Sequence, residues 1–523
     1  MSYSSGYLAN ASVLAFIILL YAAGLVFYRL CLSPLAKFPG PRLAAATGLY
    51  EIYHQIIKGG TFTWHIDRLH EQYGPVVRIT PFEIHIKDPD YYSTVYAGPG
   101  KHRNKDPDFS FIGFPGAIFS TDGYELHRAR RKVMGQFFKK HAIQEFEPII
   151  RANVEALCQY FSISAVTMRP LEVHAPFYSF TSDTVSQHAF GRQAGLHSLN
   201  ESEPSSTWKI RLTSMFSFCL INRHFPLLNP LAHMFPSLAA WVVPAFGYIL
   251  DFESDVRKMV RVAIDNNWQI QHSDKVLAQA KIPQIGPARS MYPNILADSE
   301  IPQSEKELTR LEDDAIFLMM AGTDAPAQAL AITLFHILNN PNVYARLKEE
   351  LFTISDPDTV STLEQFQRLP YLTATIREGL RLSSVVTTRL PRSAPDEILQ
   401  YQDWLIPAGT YVSMSTYFIL RDPNLFPEPL KFQPERWLLN PDDLRKQEKY
   451  LVPASKGTLG CVGQKYDFIH DLKLKWTIMT DKIYLELYET TERNVEMKRD
   501  NFIGQTGDGL NNIQVKVLEE YRY

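Results

Sequence analysis

The first 28 residues hold the feature that most limits how this chain of 523 residues can fold. From Tyr7 to Tyr28 no side chain is charged, and the clearly polar ones are Asn10 and Ser12. An α-helix of this length spans roughly 33 Å, which is enough to cross the hydrocarbon core of a bilayer. The run therefore predicts a transmembrane helix, with the rest of the chain folded outside the bilayer.

The flanks of this run predict its orientation. Arg29, Lys37 and Arg42 follow it, whereas no charged side chain precedes it, so the bulk of the chain is expected in the cytosol. The alternative is a cleaved signal peptide, but the run lacks a basic leader and is too long. We expect an uncleaved anchor at residues 1–30, a Pro-rich hinge at 31–45 and a folded domain at 46–523.

Composition excludes several classes of protein. Hydrophobic residues make up 45% of the chain and charged residues 21%, which is typical of a globular protein and excludes a mostly disordered one. Lys and Arg number 53 against 56 Asp and Glu, so we expect no nucleic acid as a partner. The cysteines are too few for a disulfide framework and are not spaced like zinc ligands: Cys31, Cys158, Cys219 and Cys461.

Hydrophobic periodicity predicts a mainly α-helical fold with a small β portion, built as a single large domain. Helical spacing dominates from about residue 125 to residue 382, and short strands are expected before and after it. The expected boundaries are strands at 76–79 and 83–86, loops at 198–206 and 273–304, a break at 339–341, a helix at 364–382, and short strands up to 437 and over 484–517.

Glu378 and Arg381 share one face of a predicted helix, three residues apart, so they can pair. About 50 residues later comes the sequence Phe-Gln-Pro-Glu-Arg-Trp, which ends at Arg436 and Trp437. This order of motifs resembles the cytochrome P-450 family of haem-thiolate monooxygenases. The resemblance implies that Glu378, Arg381 and Arg436 form a buried structural lock, in which one carboxylate is shared between two guanidinium groups.

Cys461 lies in a glycine-rich turn that resembles the haem loop of the same family. Gly457, Cys461 and Gly463 match the family's pattern, which implies haem b as cofactor and Cys461 as the thiolate ligand of its iron. Two positions depart from it. Ala454 stands where the family has Phe, and Leu459 stands where it has the Arg that pairs with a haem propionate.

A third motif, Ala-Gly-Thr-Asp-Ala-Pro at residues 321–326, lies within a predicted helix and resembles the family's oxygen-activation segment. The resemblance implies that Ala321 and Gly322 leave room for a diatomic ligand and that Asp324 relays protons. Ala325 departs from the pattern, because most members carry a proton-delivering Thr there. Pro326 is expected to distort the helix locally.

His127 and Arg131 are four residues apart on a predicted helix and can reach one anion together. The family places a pair of this kind on a haem propionate, and Arg392 stands where it supplies a further propionate-binding Arg; Arg389 is the alternative. We expect the neighbouring cations on a solvated face that could meet an acidic redox partner: Arg128, Arg130 and Lys132.

Segments along the whole chain, such as Lys37-Phe-Pro-Gly-Pro41, resemble filamentous-fungal microsomal members of the trichodiene-oxygenase type. The resemblance implies a monooxygenase acting on an apolar secondary metabolite, terpenoid or polyketide-like, with electrons from an NADPH-dependent reductase. It also implies a single-pass protein of the endoplasmic reticulum membrane with a cytosolic catalytic domain. The apolar stretch Phe216 to Leu250 is expected to form an access region near the membrane.

Two alternatives remain open. The departures at Leu459 and Ala454, together with an unusual sequence between Gly463 and Tyr484, are compatible with a catalytically impaired or haem-free relic of the fold. Ala325 keeps open an oxygen-independent haem isomerase or dehydratase. Within the unusual stretch, helical spacing recurs at Phe468, Leu472, Trp476, Met479 and Ile483, which is compatible with a helix there.

Overall fold

The computed structural model describes residues 2–110, 113–167, 169–200, 207–277, 290–354, 363–464, 483–507 and 512–519. The helical spacing at Phe468, Leu472, Trp476 and Met479 lies outside these residues. Its last member, Ile483, begins a β-strand, so the prediction was wrong there. Chain contacts divide the protein into two compact units. The first unit contains residues 1–106 and 389–415, and the second contains residues 107–388 and 416–523.

Helices account for most of the described chain, as the periodicity predicts. In chain order they are α1 Ser2–Phe27, α2 Arg42–Ala46, α3 Leu49–Ile52, α4 Phe62–Tyr73, α5 Tyr92–Val95, α6 Pro107–Ser110, α7 Tyr124–Gly135, α8 Lys140–Thr167, α9 His174–Phe190, α10 Thr207–His224, α11 Leu228–Met234, α12 Pro236–Val242, α13 Pro244–Leu277, α14 Met291–Ala297, α15 Leu308–Leu338, α16 Pro341–Phe352, α17 Leu363–Gln367, α18 Pro370–Ser383, α19 Thr416–Ile419 and α20 Pro441–Glu448.

The strands are short and form several small sheets. They are β1 Val76–Arg78, β2 Glu83–Ile86, β3 Asn104–Lys105, β4 Leu171–Glu172, β5 Arg392–Ser393, β6 Leu399–Tyr401, β7 Trp404–Ile406, β8 Tyr411–Ser413, β9 Ile483–Leu487, β10 Met497–Asn501, β11 Ile503–Thr506 and β12 Gln514–Glu519. The first unit holds a five-stranded sheet in the order β1-β2-β8-β5-β3 and the hairpin β6–β7. The second unit holds the sheet β4-β12-β9 and the hairpin β10–β11.

The first unit combines the N-terminal helix with the five-stranded sheet. The predicted hairpin is confirmed, since β1 and β2 pair antiparallel with Val76 opposite Ile86. The strand β8, from the later part of the chain, then pairs parallel with β2. No helix covers residues 33–41, as the Pro and Gly residues there predict.

The second unit is organised around α15, which packs against α9 and α18. Two glycines permit this packing. A Cβ at Gly322 would lie 2.7 Å from Val185 of α9, and a Cβ at Gly379 of α18 would lie 2.4 Å from Thr333 of α15. Helix α15 continues through Pro326 and ends at Leu338, and α16 begins at Pro341, so the predicted break is confirmed.

Several predicted boundaries were wrong. The helix expected at 364–382 is two helices, because Pro370 begins α18 and cannot continue α17. The loop expected at 273–304 contains α14, and α13 extends to Leu277.

Two helices of the described chain are long and apolar enough to cross a membrane. The most apolar part of the stretch Ser12–Leu32 has no residue buried inside the protein, which is what a membrane anchor requires. In Leu308–Leu338, which is α15, two-thirds of the assessed window is buried inside the protein. The apolar character of α15 is therefore explained by its position in the core.

Candidate functional site

The carboxylate of Glu378 on α18 is fully buried and lies at the centre of a hydrogen-bond network. Its Oε2 accepts from Arg381 Nε at 2.9 Å and from Trp437 Nε1 at 3.0 Å. Its Oε1 accepts from Arg381 Nη2 at 2.8 Å, from the backbone N–H of Gln433 at 3.0 Å and from Arg436 Nε at 3.2 Å. The structure thus brings together the three residues that the sequence assigned to one cluster.

The remaining donors of Arg381 are bound by backbone carbonyl groups. Its guanidinium donates to the carbonyl oxygens of Leu420, Pro429 and Lys431 at 2.8, 2.7 and 3.3 Å. The cluster therefore ties α18 to the loop that leads to Arg436. Trp437 was not assigned to the cluster from the sequence, although an indole N–H directly after the Arg was the available signal.

The loop around Cys461 is a compact turn. The backbone N–H of Cys461 donates to the carbonyl of Ala454 at 2.9 Å. Gly457 has φ +74°, a left-handed conformation that favours glycine and explains its place in the motif. Cys461 is an exposed residue and forms no disulfide bond.

Arg131 of α7 reaches this loop. Its Nη1 donates to the carbonyl oxygen of Gly460, directly before Cys461. Burial lowers the pKa of Arg131, and the nearby Cys461 acts against that shift. His127, one turn earlier on α7, is buried. Arg131 thus lies beside the cysteine loop through a hydrogen bond to the backbone, and its role with His127 in binding a haem propionate stays a prediction.

The motif on α15 divides between two faces of the helix. Ala321 and Ala325 are partly exposed and lie four residues apart, in line with Phe317. Gly322 points elsewhere, because a Cβ there would collide with Val185 of α9. The small size of Gly322 therefore permits helix packing, and its role in leaving room for a ligand stays a prediction.

Asp324 lies in the interface between α9 and α15 and is 1% exposed. Its carboxylate accepts hydrogen bonds from the hydroxyl of Tyr178 and, at 2.8 Å, from Gln328 Nε2. Burial raises the pKa of Asp324 to about 6, although both hydrogen bonds act in the opposite direction. Neither Tyr178 nor Gln328 was foreseen, since no motif marks them.

Arg130 does not belong to a solvated face as the sequence suggested. Its side chain is only 12% exposed and pairs with Glu305 at 3.1 Å. It also donates to Thr121 Oγ1 at 2.7 Å. Its neighbours Arg128 and Lys132 are exposed, as expected. The exposed basic face of α7 is therefore smaller than predicted.

In the first unit, Arg389 and Arg392 have different surroundings. Arg389 forms buried ion pairs with Glu83 and Glu51, both at 2.7 Å. Burial acts against its charge, but the two carboxylates raise the pKa of Arg389. Arg392 is also buried, and within the described residues its Nε has no hydrogen-bond partner. Of the two, Arg392 is the guanidinium left able to bind an added anion.

Four phenylalanines from separate segments of the second unit form an aromatic cluster. Phe119 stacks on Phe317 of α15 with ring centroids 4.6 Å apart. Phe502, between β10 and β11, meets Phe119 edge-on at 5.7 Å and stacks on Phe216 of α10 at 5.9 Å. Because Phe317 is on the same face of α15 as Ala321, the cluster continues the partly exposed face of that helix.

Comparison with known proteins identifies the family. The family model described as cytochrome P450 matches residues 43–466, which includes Cys461 and parts of both units. The chain belongs to the cytochrome P450 family.

Relatives of this P450 include the conidiogenone synthase of Penicillium rubens, which is 34% identical over 94% of this chain and 96% of the relative. The monooxygenase pbrB of Penicillium brasilianum is 33% identical over 95% and 96% of the two chains. The monooxygenase TRI4 of Trichoderma arundinaceum is 31% identical over 94% of each. Like these relatives, this P450 is a monooxygenase of the type found in fungal secondary metabolism.

The side chains of this P450 fit the haem that the family implies. Cysteine sulfur is a suitable iron ligand, and Cys461 forms no disulfide bond. Arg131 donates to the backbone carbonyl of Gly460, directly before Cys461. Leu459 departs from the family pattern, because it cannot provide the cation that the pattern has at that position.

Proposed function

We propose that this P450 inserts an oxygen atom into an apolar secondary metabolite of the terpenoid or polyketide class, with Cys461 as the thiolate ligand of haem b. The observation that supports this proposal most directly is the position of Cys461, an exposed residue in a compact turn. A hydrogen bond from its backbone N–H to the carbonyl of Ala454 stabilises this turn. When bound, the haem supplies the activation of dioxygen, and the protein supplies orientation and electrostatics.

The aromatic cluster supports an apolar substrate. The rings of Phe119, Phe216, Phe317 and Phe502 contact one another by their faces and edges. Rings of this kind bind apolar surface and prefer other ring systems. Ala321 and Ala325 have small side chains, so we expect space for a bulky substrate beside this face of α15.

Asp324 is proposed to hold the proton that the reaction consumes. A carboxyl group with a pKa of about 6 has both protonation states accessible near neutral pH, as a proton carrier requires. Tyr178 and Gln328 fix the orientation of the carboxylate. Because Ala325 has no hydroxyl, water or a hydroxyl group of the substrate has to complete the path.

Haem binding is proposed to involve three side chains and two glycines besides the ligand. By the family pattern, His127, Arg131 and Arg392 bind the propionates, while Gly457 and Gly463 let the backbone approach the sulfur. Glu378, Arg381 and Arg436 are proposed to stabilise the fold around this loop rather than to contact the haem.

Electrons are proposed to come from an NADPH-dependent flavoprotein reductase at the exposed face of α7, where Arg128 and Lys132 could attract an acidic partner. The protein is proposed to be a single-pass protein of the endoplasmic reticulum membrane with its catalytic part in the cytosol. The exposed helix Ser12–Leu32 and the cations after it support that orientation.

The first test is the spectrum of the reduced protein under carbon monoxide. We expect the red-shifted Soret band of a haem-thiolate in the wild type and its loss in Cys461→Ser, since a hydroxyl is a poor ligand for ferrous iron. Cys31→Ser is the matched control, because Cys31 is also exposed but lies beside the anchor. Absence of the band in haem-supplied wild type would instead support the relic.

A further inference from the structure

Phe502 has a backbone conformation that large residues rarely adopt. It lies at the tip of the hairpin β10–β11, between Asn501 and Ile503, which pair with each other. Its φ is +74°, in the left-handed region where a bulky side chain is strained. Such a conformation persists only where the surrounding structure enforces it, and it is often associated with a functional constraint.

Asp500 is the group that enforces it. Its Oδ1 accepts the backbone N–H of Phe502 at 3.0 Å and the hydroxyl of Thr387 at 3.0 Å. The carboxylate is 1% exposed, so these hydrogen bonds compete little with water. One carboxylate oxygen thus joins the tip of the hairpin to the segment that follows α18.

The hairpin is held against that segment at further points. Gly504 donates its backbone N–H to the carbonyl of Val385 at 2.8 Å. Ile503 forms an isolated antiparallel β-bridge with Val386. A Cβ at Gly504 would lie 2.6 Å from Thr387 and 2.9 Å from the sulfur of Met497. The backbone approach is therefore close, and it leaves the ring of Phe502 little freedom to move.

The ring that this arrangement holds is the hub of the aromatic cluster. Phe502 contacts both Phe216 and Phe119, and Phe119 continues to Phe317 on α15. The planes of Phe502 and Phe216 are inclined by only 11°, whereas Phe119 meets Phe502 at 80°. Displacement of Phe502 would therefore separate α10 from the loop that carries Phe119.

We propose that Asp500 is a positioning residue for substrate selection. By fixing Phe502, it gives the aromatic cluster a rigid shape that favours rigid, ring-bearing apolar molecules over small or flexible ones. This inference rests on the proposed function, since it assumes that substrate lies beside the cluster. Asp500 itself is buried and acts through Phe502.

The test compares two ligands of the haem iron in the full-length, haem-loaded protein. Imidazole is too small to reach far beyond the iron, whereas 1-phenylimidazole adds a rigid ring. We expect Asp500→Ala to weaken 1-phenylimidazole binding about tenfold in spectral titrations, as expected for loss of a charged hydrogen-bond acceptor. Imidazole affinity should change less than about twofold.

Two further variants separate positioning from general damage. Asp500→Asn keeps an oxygen acceptor and should restore most of the preference for 1-phenylimidazole. Thr387→Val removes the hydroxyl that donates to Asp500 and should give an intermediate preference. An unchanged preference in Asp500→Ala, or an equal loss of affinity for both ligands, would overturn the proposal.

A measurement that needs no haem distinguishes failure of this inference from failure of the proposed function. Hydrogen exchange of the peptide containing residues 497–506 should be faster in Asp500→Ala than in wild type and near wild type in Asp500→Asn. Equal protection in all three proteins would refute the role of Asp500. A wild type without any imidazole-induced shift would count against haem ligation by Cys461 instead.

Discussion

Glu378 accepts five hydrogen bonds while fully buried, so its removal leaves several donors and two charged groups without their acceptor. Breaking a buried ion pair by removing one partner typically costs about 3–5 kcal/mol. We therefore expect Glu378→Ala to lower the free energy of unfolding by at least about 3 kcal/mol. Urea unfolding and the yield of soluble haem-loaded protein measure this effect.

The matched control is the exposed pair Glu364 and Arg368 on and after α17, whose charged atoms are 3.6 Å apart. Solvent screens this pair, so Glu364→Ala should change the free energy of unfolding by less than about 1 kcal/mol. Similar effects of the two substitutions would show that Glu378 contributes no more than a surface ion pair.

The buried carboxyl group of Asp324 predicts a pH dependence of stability. Its pKa is raised to about 6 from an ordinary value near 4, mainly by burial. Between these values the folded protein holds a proton that the unfolded chain has lost, so stability decreases as pH rises from about 4 to about 6. A shift of about two units corresponds to roughly 3 kcal/mol.

Asp324→Asn removes this ionisation and keeps an oxygen that can accept from Tyr178. We expect the variant to lose the decrease in stability between about pH 4 and pH 6 and to be more stable than wild type at pH 7. Thermal unfolding of both proteins across this range measures it. An unchanged pH profile would mean that Asp324 ionises normally in the folded protein.

The residues of the site differ in how far the sequence could predict them. Glu378, Arg381 and Cys461 stand in motifs whose spacing is itself informative. Tyr178 could not be predicted, because it is 146 positions from Asp324 and meets it only after α9 has packed on α15. The exposure of Arg130 was predicted wrongly, because a run of basic residues does not indicate which of them will be buried.

At the scale of elements, helix content and the first hairpin followed from periodicity, whereas the boundaries did not. The helix expected at 364–382 ignored Pro370, which can begin a helix but cannot continue one. The packing of Gly322 on Val185 was not predicted, because Val185 belongs to a distant segment of the sequence. Tertiary packing decided both the role of Gly322 and the strained turn at Phe502.

The helices α11 and α12 carry a large exposed apolar surface within the stretch expected to lie near the membrane. Its main exposed members are Leu227, Leu231, Met234, Phe235, Leu238, Trp241 and Val242. A contiguous surface of this kind is uncommon on a soluble protein and typically marks a site of membrane or protein contact. Phe216, by contrast, is buried in the aromatic cluster, so only part of the predicted stretch is exposed.

For the whole molecule, this exposed apolar surface predicts that the protein still binds membranes after its anchor is removed. Deletion of residues 2–32 removes the exposed helix, yet we expect the remaining protein to keep salt-resistant binding to phospholipid vesicles through α11 and α12. Adding Leu238→Ser and Trp241→Ser should then lower vesicle binding by at least about 100-fold, since each large apolar side chain contributes about 1.5–3 kcal/mol on burial. Vesicle flotation in high salt measures it.

The control for that experiment places serine at exposed apolar positions in other parts of the chain. Leu405 and Leu430 are 51% and 71% exposed and lie outside α11 and α12. Leu405→Ser and Leu430→Ser in the truncated protein should leave vesicle binding unchanged, because isolated exposed side chains bind lipid weakly. If the truncated protein without further substitutions stays wholly in solution, the anchor is sufficient to explain membrane attachment. Then the exposed surface of α11 and α12 must have another partner, because its apolar side chains would remain in water.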